Sequence, residues 1–162
     1  MLSFFQSTIY VQISPDRLSM RDVKSGQSIS EVPELAISAS PNQKILGTGA
    51  EARSAAASQS GAIVVNPFAH PRSLVSDFTV AEQLIKAFLS RLMGGSIFKM
   101  SPEIVIHPQG SPDGGFTQVE NRAFRELGLG AGAAKVILWQ GDDLTDQEIQ
   151  SGQFSSRGRV CD

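Results

Sequence analysis

The chain has 162 residues and a mass of 17.3 kDa, about one ordinary domain. With 41% hydrophobic and 19% charged residues, 15 Gly and 8 Pro, the composition excludes wholesale disorder, a collagen-like repeat and a disulfide-stapled miniature. Lys plus Arg gives 14 and Asp plus Glu 16, a net charge of −2 that provides no electrostatic drive toward nucleic acid.

Cys161 is the only cysteine, so an internal disulfide and a cysteine-built zinc site are excluded and a reducing compartment is expected. No run approaches the ~18 apolar residues of a membrane span, and MLSFFQS lacks the basic start and apolar core of a signal peptide. A cytoplasmic protein is the expectation.

In chain order, TIYVQIS and RLSMRDV predict short strands separated by Ser14, Pro15 and Asp16. Lys24, Ser25 and Gly26 supply the next turn, and QSISEVPELAIS reads as a third strand that Pro33 interrupts at an edge or bulge. Residues 38–66 are dominated by Ala, Ser and Gly. A strand is expected at Lys44–Gly47 and a helical stretch near Ala50–Ser58, and VVNPFAHPRS with its two prolines reads as a connecting loop. Asp77–Met93 is the strongest helix, with Val80, Ala81, Leu84, Ile85, Phe88 and Leu92 on one stripe and a capping-box pattern at Thr79 and Glu82. EIVIH (103–107) predicts a buried strand. A second capping box, Thr117 with Glu120, opens a helix that should bury Val119, Ala123, Phe124 and Leu127 and end at Gly128. KVILW (135–139) reads as another apolar strand, DLTDQEIQ as a polar helical piece, and residues 151–162 as a flexible tail. This order predicts an α/β (α+β) fold on a mixed sheet, in which a β-meander precedes helix, strand, helix, strand and helix, the later strands pairing in parallel.

No catalytic constellation emerges. His70 and His107 have no close metal-ligating neighbours in sequence, HPQGSPDGG (107–115) lacks both dinucleotide and P-loop fingerprints, and GLGAG (128–132) follows a helix instead of opening one. Asp142, Asp143, Asp146 and Glu148 are explained by the attraction of carboxylates to a helix N-terminus. The less ordinary features are two apolar segments: GGSIFKMSP, with Ile97, Phe98 and Met100 around Lys99, and the opening MLSFF, with Leu2, Phe4 and Phe5. Both are candidate docking segments for a bilayer or a partner; burial in the core is the competing reading.

TQVENRAFRELGLGAGAAKVILW (117–139) resembles the TQVERRAxRExxxGAGAxxVxL stretch of the MreB family, the bacterial actin-like rod-shape-determining proteins. In collinear order, VVNPFAHPRSLVSDFTVAEQLIKAFL (64–89) and ILGTGAEAR (45–53) are similar to the family's xxxRPxxxGVIxDFxVTExMLxxF and VGxxAK segments. The resemblance covers roughly residues 8–150. It implies the first half of an actin-like fold: a ribonuclease-H-like large subdomain from 1–37 and 67–150, with 38–66 as a small inserted subdomain. It also implies that the second half of the family's ATP clamp is missing. The family's DxGTxNT phosphate loop finds no counterpart in LSFFQSTIYV, as if its hairpin were shortened away, and Gly141 falls where the family's water-positioning glutamate stands.

Losing those groups together should abolish phosphoryl transfer. The resemblance therefore implies a non-catalytic relative without nucleotide, cofactor or metal, serving cell shape or envelope organisation. The inner-membrane surface, a full-length actin-like homologue and a second copy of the chain are its implied partners. In the family an apolar loop and an N-terminal segment insert into the inner membrane, and Ile97, Phe98 and Met100 with Leu2, Phe4 and Phe5 occupy the matching positions. A filament cap or regulator, an ATPase half completed by another chain, and a gene remnant are the alternative expectations.

Overall fold

The computed structural model describes residues 6–70, 73–94, 100–110 and 112–161. Two sheets form. The larger has six strands in the order β3 (Ser28–Glu31), β2 (Leu18–Asp22), β1 (Thr8–Ile13), β7 (Glu103–Pro108), β8 (Lys135–Gly141) and β9 (Gly158–Cys161). The smaller is β5 (Ile45–Thr48), β4 (Leu35–Ile37) and β6 (Ile63–Val65), with α1 (Ala52–Ala57) packed against it. In the large sheet β1 pairs antiparallel with β2 and parallel with β7, which pairs parallel with β8. This is the expected mixed sheet, its parallel strands separated by α2 (Phe78–Met93) and α3 (Gln118–Gly130).

The alternation of β1 divides the interior into two layers. Ile9, Val11 and Ile13, with Ile104, Ile106 and Leu138, face α2 and α3, which contribute Leu84, Ile85, Phe88, Leu89, Phe124 and Leu127. Tyr10, with Val105 and Trp139, faces the opposite way and packs with Leu144 and with Ile149 of α4 (Asp146–Ser151). Among the described residues no helix is long and apolar enough to cross a membrane.

Several expectations require correction. The end of the expected tail is ordered through Cys161: β9 (Gly158–Cys161) lies antiparallel along β8, and Cys161 is buried in the core. Pro33 separates two strands instead of bulging one, since β3 edges the large sheet and β4 is the middle strand of the small one. The small sheet therefore reaches back to Leu35, before the expected 38–66 stretch, and it takes Val64 and Val65 from the presumed loop. Asp77, not Thr79, caps α2, its carboxylate accepting the Val80 N–H at 3.1 Å. The Thr117–Glu120 box is present, but Val119 is 79% exposed. It stands five residues from Phe124, about 140° around the helix and off the buried stripe. Gly128 does not end α3 either, because the helix runs on to Gly130. Gly128 is buried where a Cβ would press on Val136 and Ile106, so its lack of a side chain brings helix and sheet together.

Candidate functional site

In an open sheet with parallel strands, ligands meet the protein at the carboxyl ends of those strands. Here that edge carries a cleft of about 400 Å³ between the β7–α3 loop and the end of β8, lined by His107, Gln109, Phe116, Gln140, Gly141 and Asp142. The turn joining β1 to β2 lies at the same edge, where the Gln109 N–H donates to the Ile13 carbonyl at 2.8 Å.

His107 is 3% exposed. The ring Nε2 lies 2.9 Å from the Gly141 carbonyl oxygen and must donate to it, so Nδ1 is the acceptor for the Tyr10 hydroxyl at 2.6 Å. The Tyr10 oxygen in turn accepts the Leu144 N–H at 3.2 Å. Burial pushes the His107 pKa down, against the opposing pulls of the Gly141 carbonyl, Asp143 and Asp142, and burial pushes that of Tyr10 up. Both groups are therefore neutral near pH 7. The imidazole is a satisfied structural link between β1, β7 and the β8–α4 segment.

The acidic set is likewise engaged. Asp143 accepts from Gln12 at 3.0 Å, Asp142 lies 3.4 Å from Arg157, Asp146 pairs with Arg21 at 2.7 Å, and Glu148 completes a capping box with Thr145. Among the described residues no three His, Cys, Asp or Glu side chains converge as a metal site.

The first turn corrects the expectation of a missing hairpin. The central strand is TIYVQI itself, and the hairpin to β2 is Ser14–Arg17, not a segment of LSFFQS. What it lacks is donors. The Ser14 N–H donates to the Arg17 carbonyl at 3.0 Å, the Arg17 N–H to Ser14 Oγ at 3.0 Å, and Pro15 has no N–H. Of the turn's amides only that of Asp16 is left outside these bonds, and it neighbours a carboxylate. A phosphate cradle needs several convergent amides in a glycine-rich loop. Gln12 near the end of β1 and Gly141 at the end of β8 stand on the same sheet edge, and neither carries a carboxylate.

Of the six candidate docking residues, Leu2, Phe4, Phe5, Ile97 and Phe98 lie outside the described residues; Met100 is half-buried at a bend just before β7. The loss of donors in the hairpin is not readable in sequence, because it follows from the Ser14 and Arg17 N–H groups bonding within the turn. The turn residues Ser14, Pro15 and Asp16 are themselves evident in the sequence.

A family model described as MreB/Mbl protein matches residues 23–143. The cell shape-determining protein MreB of Haemophilus influenzae is 34% identical over 65 residues, 40% of this chain and 17% of that protein. Its counterpart in Escherichia coli K12 is 36% identical over 66 residues, 40% and 18% of the two chains. Crystal structures of MreB5 of Spiroplasma citri bound to ADP and to AMPPNP share the fold, with TM-scores of 0.63 and 0.65 at 17% and 18% identity. Each alignment covers 83% of this chain and 38% of the other, so the chain spans well under half the length of those relatives.

Proposed function

The chain belongs to the MreB/Mbl family, and on that premise we propose that it is a non-catalytic, actin-like structural component of bacterial cell-shape or envelope organisation, working at the cytoplasmic face of the inner membrane. The observation that carries the non-catalytic reading is the Ser14–Arg17 hairpin, whose Ser14 and Arg17 amides bond within the turn and which contains Pro15, with no N–H, and no glycine. Phosphoryl transfer depends on positioning and charge stabilisation. The charged side chain that lines the cleft is Asp142, an anion that repels a polyphosphate.

Calorimetric titration of Mg-ATP into the protein is expected to show no binding tighter than about 100 μM, a threshold of roughly 5.5 kcal/mol. A tighter complex would overturn the non-catalytic reading and favour an ATPase half awaiting its complement.

The membrane part of the reading rests on the apolar side chains of Ile97, Phe98 and Met100, with Leu2, Phe4 and Phe5 as a second foothold. A few buried apolar side chains give reversible attachment, not permanent insertion. The natural protein is expected to float with anionic liposomes and a Phe98→Asp variant to remain in the dense fraction. Flotation of both, or of neither, would remove this loop as the foothold.

A further inference from the structure

At one side of the large sheet the outer strand is β3, which pairs with β2 alone. The Asp22 N–H donates to the Gln27 carbonyl at 2.8 Å where the two strands begin to pair, and hydrogen-bonded pairs alternate along an antiparallel ladder. Gln27, Ile29 and Glu31 therefore turn their peptide groups toward β2, while Ser28 and Ser30 turn theirs outward. The Ser30 carbonyl accepts the Arg17 guanidinium at 3.0 Å and keeps a second lone pair. Among the described residues nothing meets the Ser28 N–H, the Ser28 carbonyl or the Ser30 N–H. Bulges, prolines and charges usually guard such an edge. β3 runs without a bulge, proline first appears at Pro33, and the Glu31 carboxylate is folded back onto Arg91 at 2.8 and 3.0 Å.

Beside α2 an open groove of about 520 Å³ follows this edge, lined by Gln27, Ser28, Ile29, Arg91 and Leu92. Ile29 and Leu92 are its apolar side chains, each only partly buried. The SISE edge is complementary to itself when turned about a two-fold axis through Ile29. Ser28 of each copy then exchanges both main-chain hydrogen bonds with Ser30 of the other. Ile29 faces Ile29 at the close, non-hydrogen-bonded position, and Gln27 stands opposite Glu31, so no like charges meet. A register centred on Ser28 or Ser30 would instead set Ile29 against Gln27 or Glu31. We propose that β3 is the interface to a second copy of this chain, the two large sheets joining edge to edge in an isologous dimer. One short strand from each copy falls below the roughly 1,200 Å² of a standard complex, so the dimer is weak and concentration-dependent. The pairing is independent of the membrane and nucleotide readings, and its tests use neither lipid nor nucleotide.

Sedimentation equilibrium of the full chain from about 10 to about 500 μM is expected to show a reversible monomer–dimer equilibrium. Ser28→Pro and Ser30→Pro each remove an outward N–H from both copies and spare the β2–β3 ladder, because an edge strand tolerates proline where its N–H faces away from the sheet. Each is expected to weaken association at least about tenfold while the thermal midpoint changes little. Cross-linking reads the same register without proline and decides the matter if either proline unfolds the chain. In a Cys161→Ala background, Ile29→Cys stands opposite itself at about 4.5 Å between Cα atoms, within disulfide reach. It is expected to form linked dimers at least about tenfold faster than Ala57→Cys, an exposed position on α1. A monomer throughout the concentration range would overturn the proposal. So would a dimer that both proline variants form as readily as the natural chain, or equal cross-linking rates for the two cysteine variants, since the contact would then lie elsewhere.

Discussion

Replacing Gly158 with Val is expected to strip β9 from the sheet and to cost about 3 kcal/mol. A Cβ at this position would lie against the Trp139 ring, 2.5 Å from the Gln140 carbonyl oxygen and 2.8 Å from Gly141 Cα. Backbone atoms cannot yield to it, and overpacking of that kind costs 1–3 kcal/mol or more. The affected region is specific. Trp139 is 1% exposed, packs on Phe154 at 5.5 Å and donates its indole N–H to the Asp142 carbonyl at 2.8 Å. β9 also receives Arg125, which donates to the Cys161 carbonyl at 2.6 Å. A urea midpoint shifted down, with amides 158–161 losing exchange protection, is the expected result. Unchanged protection at those amides would mean that the last residues do not hold the edge of the sheet.

That strand also marks the boundary of what the sequence makes legible. β1, β7 and β8 are readable because they carry continuous Ile, Val and Leu runs, buried in β1 and β7 and buried at Leu138 and Trp139 in β8. The Thr117–Glu120 box is readable because its two hydrogen bonds are local. GRVC has neither signal: it is short, mostly exposed and preceded by Ser and Arg. What places it is a fit between Gly158 and Trp139, far apart in the chain, which no local pattern encodes. The same holds for Val64 and Val65, whose strand character depends on β4 as a partner, and for Gly128, which reads as a helix stop but serves as a contact point.

At the strand-end site the residue types were visible and their bonding was not. His107 stands alone in sequence, yet its two ring nitrogens are committed to Tyr10 and Gly141, 97 and 34 residues away. Ser14, Pro15 and Asp16 are evident turn residues, but only the closed hydrogen bonds of the Ser14–Arg17 hairpin reveal how few donors it offers a phosphate.

Phe88→Ala is expected to be the most damaging single truncation, costing about 3–5 kcal/mol from a total stability of order 5–15 kcal/mol. Phe88 is fully buried on α2, where it packs both on the large sheet's core and toward the small sheet. A Cβ added at Gly49, whose φ of +64° favours glycine, would approach the Phe88 Cζ to 3.1 Å. One helical turn on, Arg91 lies 5.4 Å above the Phe88 ring and forks onto Glu31 at 2.8 and 3.0 Å, while Glu31 also accepts the Ala50 N–H at 2.9 Å. The hydrogen bond from Arg91 is the main cause holding the Glu31 carboxyl below its usual range. The ring is thus the apolar support of an ion pair that ties the end of β3 to both α2 and the entry to α1. Removing it should lower the denaturation midpoint and also loosen the amides of Gly49 and Ala50. Arg91→Ala separates the two contributions: with Arg91 39% exposed, its loss should cost less than about 1 kcal/mol. If Arg91→Ala instead destabilised as much as Phe88→Ala, the ion pair and not the buried ring would be what fastens the small sheet to the large one.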